Sequence, residues 1–214
     1  MSGDLERLIK DVVRSYFQPE GKIPVGISNR HVHLSRTDFE KLFGPNKRGT
    51  KLRNLKQPGQ YALEETVNLV GPRGVIEGVR ILGPERAQTQ VEVLVADTFK
   101  LGIPVALRDS GDLEDTPGLA LVGPEGLLRL EKGVIVARRH VHASPAEARS
   151  LGIVHGESVG LETRGERQVE FRDVLVRVDA KYCLEFHVDI EEANAALLKN
   201  GDFVNLTKGR KGND

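Results

Sequence analysis

Apolar positions fall into two patterns that change at Lys22. Before it, Leu5, Leu8, Ile9, Val12, Val13, Tyr16 and Phe17 share one face at helical spacing. They predict an amphipathic helix within residues 1–20, ended by Gln18-Pro-Glu-Gly21. After it, short apolar runs alternate with Gly and Pro, at 23–27, 66–70, 75–82, 90–95, 103–107, 119–122, 127–130, 134–137, 158–161, 170–178, 183–188 and 203–206. Short strands with turn signals every ~8–12 residues predict a barrel or sandwich. Helical stretches are few after that point: 35–43, 144–151 and 190–200. The strict strand–helix alternation of a parallel α/β protein is missing.

Two repeats run through the pattern. Leu69-Val-Gly-Pro-Arg-Gly74 returns as Leu121-Val-Gly-Pro-Glu-Gly126, turn chemistry that predicts two similar hairpins. Pro24-Val-Gly-Ile-Ser-Asn-Arg-His-Val-His-Leu-Ser-Arg-Thr-Asp38 is matched by Gly133-Val-Ile-Val-Ala-Arg-Arg-His-Val-His-Ala-Ser-Pro-Ala-Glu147. Each copy reads as an apolar strand, Arg-His-Val-His, then a Ser-x-x-acid capping step that opens a helix. The chain therefore reads as two related units, each with a His-x-His pair at the end of a strand.

Composition narrows the class. Thirty-one basic and 31 acidic residues cancel among 214, which argues against a general nucleic-acid binder and leaves room for a local anion pocket. The core must be aliphatic, since Trp is absent and aromatics are 5%. One cysteine cannot form an intramolecular disulfide, as expected in a reducing compartment. The acidic start lacks a secretory pattern, and no apolar run approaches a membrane span of ~18 residues. The expectation is a soluble, cytoplasmic protein with no membrane partner.

Four of the six histidines, His31, His33, His140 and His142, form the two His-Val-His pairs. On a strand, residues i and i+2 share a face, so each pair presents two imidazoles to a metal such as zinc. A catalytic zinc takes a third protein ligand and keeps a position open. Glu92, Glu185 and His187 are the candidates, polar residues inside two similar strands, Val-Glu-Val and Leu-Glu-Phe-His; Glu92 and Glu185 read equally well as outward-facing strand residues. Arg86 follows a Gly83-Pro84 turn just upstream of Glu92, and Arg30, Arg138 and Arg139 flank the pairs; a guanidinium fork suits phosphate or carboxylate. Cys183 reads as a core residue rather than an acyl-carrying nucleophile, and His155, in a turn, as surface.

With these residues in view, the chain resembles the PduL-type phosphate acyltransferases, or phosphate propanoyltransferases, from about Ile23 to Leu206. The resemblance is carried by Ser-Asn-Arg-His-Val-His-Leu at 28–34, Gln57-Pro-Gly-Gln-Tyr-Ala62, Leu82-Gly-Pro-Glu-Arg-Ala-Gln-Thr-Gln-Val-Glu92, Arg108-Asp-Ser-Gly111, Ala137-Arg-Arg-His-Val-His142 and Leu184-Glu-Phe-His187. It implies a mainly β fold of two β-barrels capped by short α-helices and related by the internal repeat. One barrel would be discontinuous, 21–30 plus 138–208, the other 31–137, with a polar tail at 209–214. It implies two zinc ions per chain, or other divalent transition metals. One would be held by His31, His33 and Glu92, the other by His140, His142 and His187. Arg86 matches the catalytic arginine, and Ser28, Arg80, Leu82 and Asn194 fall at coenzyme A contacts. The implied reaction is reversible: short-chain acyl-CoA (propanoyl, or acetyl) plus phosphate gives acyl phosphate plus CoA by direct attack. A homodimer is implied, and members housed in a bacterial microcompartment carry an N-terminal amphipathic extension that would engage its lumen or shell.

Three rivals compete. An amidohydrolase-type binuclear zinc hydrolase needs a TIM barrel of ~250 residues, which this chain cannot supply. A bicupin would use Asp38 and Glu147 as further ligands, yet both sit at helix-capping positions. A closed structural zinc site prefers four ligands, often cysteine.

Overall fold

The computed structural model describes residues 21–207; the helix expected within 1–20 and the tail at 209–214 lie outside the described residues. The first part runs β1 (Lys22–Ser28), β2 (His31–His33), α1 (Arg36–Phe43), β3 (Lys51–Asn54), β4 (Tyr61–Val70), β5 (Val75–Gly83), β6 (Gln90–Glu92), α2 (Val95–Leu101), β7 (Leu107–Arg108), β8 (Leu119–Val122), β9 (Leu127–Leu130) and β10 (Val134–Ala137). The second runs β11 (His140–Ala143), α3 (Pro145–Leu151), β12 (Ser158–Glu162), β13 (Glu170–Val178), β14 (Glu185–Asp189), α4 (Ile190–Ala195) and β15 (Phe203–Thr207).

The strands form two sheets. Six close into a barrel in the order β1-β14-β11-β13-β12-β15. The other nine make one sheet, β7-β10-β6-β2-β5-β4-β8-β9 with β3 on β4, which curls into a half-barrel and stays open at β7 and β9. The chain begins in the barrel, passes to the half-barrel between Ser28 and His31, and returns between Ala137 and His140. Each His-Val-His strand thus starts at a crossing.

Each sheet has its own core. Val32, Leu34, Phe39, Leu42, Leu69, Ile81, Val91 and Leu121 fill the half-barrel, and Ile23, Val25, Val141, Leu161, Val176, Phe186 and Val204 fill the barrel. Every one is at most 2% exposed, so each contributes roughly 1.5–3 kcal/mol of apolar burial. Strand alternation explains the pairs of imidazoles: Val32 and Val141 are wholly buried in the two cores, which turns their histidine neighbours to the opposite face.

The Gly-Pro hairpins also show why glycine flanks each turn. Gly71 N–H donates to Gly74 O and Gly123 N–H to Gly126 O, closing the two turns. These turns lie on helix ends: Arg73 N–H donates to Leu101 O of α2, and Glu125 N–H to Leu42 O of α1. A Cβ at Gly71 would sit 2.2 Å from Leu101 O, and one at Gly123 would sit 2.4 Å from Leu42 O, so only glycine permits the approach. The turns satisfy carbonyls that a helix C-terminus leaves without partners.

Three local expectations shift. The apolar run 90–95 reads as one strand, but β6 ends at Glu92 and α2 begins at Val95, because Asp97 Oδ2 accepts from Leu94 N–H at 3.0 Å and caps the helix. The stretch 190–200 is helical only through Ala195; Leu197 then takes a positive φ of 55°. The run 103–107 is strand only from Leu107, where β7 covers Leu107–Arg108.

Candidate metal centre

The repeat seen in the sequence is a repeat of strand registers. β2 lies antiparallel to β6, with His31 opposite Glu92 and His33 opposite Gln90. β11 lies antiparallel to β14, with His140 opposite His187 and His142 opposite Glu185. On the other side β2 runs parallel to β5 and β11 parallel to β13. Paired residues share a face, so each His pair meets a third donor directly across the ladder. His31, His33 and Glu92 form one cluster and His140, His142 and His187 the other, with donor atoms in each within 4.8 Å of one another.

The imidazoles are oriented from behind. His31 Nδ1 lies 2.7 Å from Asn29 O, and His140 Nδ1 lies 2.8 Å from Arg138 O, the same contact in both units. A carbonyl there fixes the tautomer and leaves Nε2 as the lone-pair donor. The crossings are braced alike: Arg30 Nε donates to Asp97 Oδ2 at 2.7 Å, and Arg139 Nη1 donates to Glu192 Oε1 at 2.5 Å.

The electrostatics keep most ligands ready. Burial, then the charges of His31 and Arg86, push His33 down to about 3. Burial and His187 push His140 down to about 3, and burial, His187 and His140 push His142 down to about 2. Burial pulls His31 down as well, but Glu92 outweighs it and raises the pKa. For Glu92 burial acts upward, yet His31, His33 and Arg86 hold the carboxyl well below its usual range. Four buried ring nitrogens have no hydrogen-bond partner among the described residues: His33 Nδ1, both nitrogens of His142, and His187 Nε2. Neutral imidazoles with such nitrogens, set beside a carboxylate, fit a divalent transition metal in each cluster.

Arg86 joins the half-barrel cluster. Its Nη2 lies 2.8 Å from His33 Nε2, and its Nη1 donates to Ser110 Oγ at 3.0 Å. Gln90, 1% exposed, donates Nε2 to Glu92 Oε1 at 2.6 Å and to Ser110 Oγ at 2.9 Å, while Gly111 N–H donates to Gln90 Oε1 at 2.8 Å. The two clusters face common ground: the Glu92 charge acts on His140, and that of Arg177 acts on Arg86.

Glu185, read from sequence as either a third ligand or an outward-facing strand residue, is in neither three-donor cluster and does not face outward. It lies beside the barrel cluster, buried beneath it, with Oε2 2.9 Å from His187 Nε2 but without hydrogen-bond alignment. The half-barrel covers it: Lys56 Nζ lies 3.0 Å from Oε1, and Gln57 Nε2 donates to Oε2 at 2.9 Å. Gln57 also donates to Cys183 O at 3.1 Å and accepts from Cys183 N–H at 3.3 Å. Burial would raise the Glu185 pKa; His187, Gln57 and Lys56 outweigh it and hold it at about 2. Tyr182 stacks on His142 with centroids 3.9 Å apart.

The remaining candidates are spread more widely. Ser28 ends β1, its Oγ 3.4 Å from Val188 O; Arg80 pairs with His31 in register and donates Nη1 to Leu63 O and Glu64 O at 3.0 and 2.7 Å. Leu82 lines a cleft of about 370 Å³ with Leu34, Phe39, Arg48, Tyr61 and Ile81, and Asn194 is exposed on α4. Cys183 is buried and His155 is exposed. Glu147 accepts from Ser144 N–H at 2.8 Å and closes a capping box, whereas the Asp38 carboxylate accepts from Thr89 Oγ1 at 2.7 Å and it is Thr89 that accepts from Ser35 N–H; neither acid belongs to a cluster. Gln57, Gln90 and Ser110 lie inside the sequence motifs, but nothing in their spacing singles them out.

This is a mainly β chain whose repeat builds two three-donor clusters that could each hold a metal ion, with a half-buried arginine on one of them. The chain belongs to the phosphate propanoyltransferase family, whose model matches residues 24–199. It is 51% identical over 200 residues to the phosphate propanoyltransferase of Thermotoga maritima, covering 92% of this chain and 95% of that one. It is 52% identical over 187 residues to the phosphate propanoyltransferase of Rhodopseudomonas palustris (87% and 83% covered). With that of Salmonella typhimurium it shares 46% over 198 residues (91% and 94%). The protein is an acyltransferase.

Proposed function

We propose that the protein interconverts propanoyl-CoA plus phosphate and propanoyl phosphate plus CoA, with a divalent metal, zinc by its donor set, in each cluster. The observation that carries this reading is the pair of repeat-related clusters, His31/His33/Glu92 and His140/His142/His187, with Arg86 on one of them. Bound there, zinc or a similar ion acts as a Lewis acid toward a carbonyl or phosphoryl oxygen and toward a leaving sulfur. In the forward direction a phosphate oxygen forms a bond to the thioester carbonyl carbon, the C–S bond breaks, and CoA leaves as the thiolate.

The protein's own side chains position this exchange. Arg86 rests on two neutral acceptors, His33 and Ser110, and exchanges them for phosphate oxygens. A fork held in place beforehand in a site with little water contributes roughly 10²–10³ in rate. Gln90 and Ser110 hold the Glu92 carboxylate, and Gln57 and Lys56 hold Glu185 against His187. Cys183 takes no part: it is buried, with Sγ 3.5 Å from Lys56 O, which supports direct attack without an acyl-enzyme. Coenzyme A is assigned to Ser28, Arg80, Leu82 and Asn194, the cleft beside Leu82 supplying apolar surface.

The same reading extends to assembly. A homodimer is what the family resemblance implies, and Phe99 on α2, 72% accessible in a single chain, is the residue to test as its contact. A cytoplasmic setting accords with the sequence. An encapsulation role for residues 1–20 rests on their amphipathic pattern; deleting them leaves turnover and solubility intact if that is their role, and destroys both if they belong to the fold.

The test is release of CoA thiol from propanoyl-CoA by the purified protein, with and without phosphate, before and after chelation. Phosphate-dependent release that chelation abolishes and zinc restores supports the proposal. Release independent of phosphate marks a thioester hydrolase, and no release from folded, metal-replete protein overturns the reading.

A further inference from the structure

Arg177 lies on the site face of the barrel. β13 runs parallel to β11, with Leu175 level with His140 and Arg177 level with His142. Val174 and Val176, between and before them, are wholly buried in the core, so Leu175 and Arg177 turn the other way, onto the face of the imidazoles. Arg177 is half-buried, and among the described residues it makes no hydrogen bond and no ion pair. Four other arginines near the clusters are engaged, Arg30 by Asp97, Arg139 by Glu192, Arg80 by two carbonyls and Arg86 by Ser110, whereas Arg138 is exposed to solvent.

Across His142 from Arg177 stands the buried Glu185 carboxylate, already paired with Lys56 and Gln57. His140, His142 and His187 bring no carboxylate to their cluster, whereas the half-barrel cluster contains Glu92. The Arg177 charge acts unfavourably on Arg86, His140 and His142. The fold does not require this arginine. At the corresponding position of the repeat, one step past Ile81 on β5, stands Leu82. Two half-buried guanidinium groups whose charges repel are stabilised by an anion placed between them.

We propose that Arg177 contacts substrate and, with Arg86, grips the phosphoryl group that is transferred, Arg86 from the half-barrel and Arg177 from the barrel. The inference rests on the acyltransferase reading and adds the phosphate side of the site. The shared chemistry is a phosphate dianion, which the reacting phosphate and the phosphates of CoA both offer; the reacting phosphate is the one assigned here.

The test uses the full-length, zinc-loaded chain carrying Arg177→Gln or Arg177→Lys. Measured are KM for phosphate, KM for propanoyl-CoA, zinc content, and the Kd of inorganic phosphate by calorimetry without CoA. Loss of a charge-assisted fork raises the phosphate KM and Kd about 10–100-fold in Arg177→Gln. The propanoyl-CoA KM and the zinc content stay within twofold, and Arg177→Lys recovers part of the loss. If the propanoyl-CoA KM rises instead, the arginine serves the phosphates of CoA and the proposal falls. Unchanged phosphate binding, or loss of zinc, overturns it equally. Should Arg177→Gln not fold, Arg177→Lys, which keeps the charge without the fork, carries the same comparison with at least a threefold rise in phosphate Kd. If the wild type binds phosphate through Arg177 yet shows no phosphate-dependent thiol release, the acyltransferase reading fails and takes the transfer role with it, while the phosphate contact of Arg177 is kept.

Discussion

Replacing Gln57 by leucine tests how the two halves of the molecule share one site. The amide is 3% exposed and makes three hydrogen bonds across the boundary, two to the Cys183 backbone and one to the Glu185 carboxylate. Leucine fills a similar volume, so the cavity term is small and the loss is polar. Two neutral hydrogen bonds at about 1 kcal/mol each and one to a charged group at about 1.5–3 kcal/mol give a destabilisation of about 3–5 kcal/mol. For a chain of this size that lowers Tm by on the order of 10 °C. Lys56 stays at 3.0 Å from Glu185, so the carboxylate remains charged but is held on one side only. The carboxylate then shifts beside His187 Nε2, and disturbing the surroundings of a metal ligand costs about 10–100-fold in metal affinity. Urea unfolding followed by circular dichroism, with a zinc competition titration alongside, measures both. A midpoint shift worth under 0.5 kcal/mol, roughly the scatter of surface substitutions, with unchanged zinc affinity would refute the reasoning.

Gly26→Ala should act on the same carboxylate from the other side, because a Cβ there would lie 2.5 Å from Glu185 Cδ; overpacking of about 1–3 kcal/mol and weaker zinc retention are expected by urea unfolding and metal analysis. Acid should destabilise the chelated protein. His33, His140 and His142 have folded pKa values far below the unfolded value near 6.5, so their contribution is complete above that pH and is lost as pH falls through 6.5 toward about 3. His31, raised, is protonated in both states below pH 6.5 and leaves this slope unchanged, so three imidazoles at about 1.4 kcal/mol per pH unit each give roughly 4 kcal/mol per pH unit near pH 5; urea midpoints at pH 7.5, 6.0 and 5.0 would show no decline if the imidazoles were charged in the fold. Cys183→Ala should keep kcat within a few-fold, and loss of turnover in a folded, zinc-loaded variant would point to an acyl-enzyme.

Much of the site was legible because strand periodicity is strict. A His-Val-His segment whose valine must be buried has its imidazoles on one face, and two such segments in matching context mark the repeat. The third donor was less legible, since it comes from a cross-strand register that spacing alone does not set. Glu92, Glu185 and His187 all lie in apolar strands, and only the ladder puts Glu92 opposite His31 and His187 opposite His140. Gln57 was hidden for the same reason, lying 126 residues from Cys183 in sequence. In the fold, β8, β9 and β10 stand where the apolar runs end, whereas α2 was concealed because Val93, Leu94 and Val95 continue the strand pattern and the stop comes from the side chain of Asp97.

The central claim is that each cluster holds a metal and that both serve one reaction. Metal content per chain, with thiol release from propanoyl-CoA in the same samples, tests it most directly on the wild type, His33→Ala and His142→Ala. The account predicts two zinc equivalents in the wild type, one in each folded variant, and loss of phosphate-dependent thiol release in both variants. A single equivalent in the wild type, or full turnover in either one-metal variant, would contradict it.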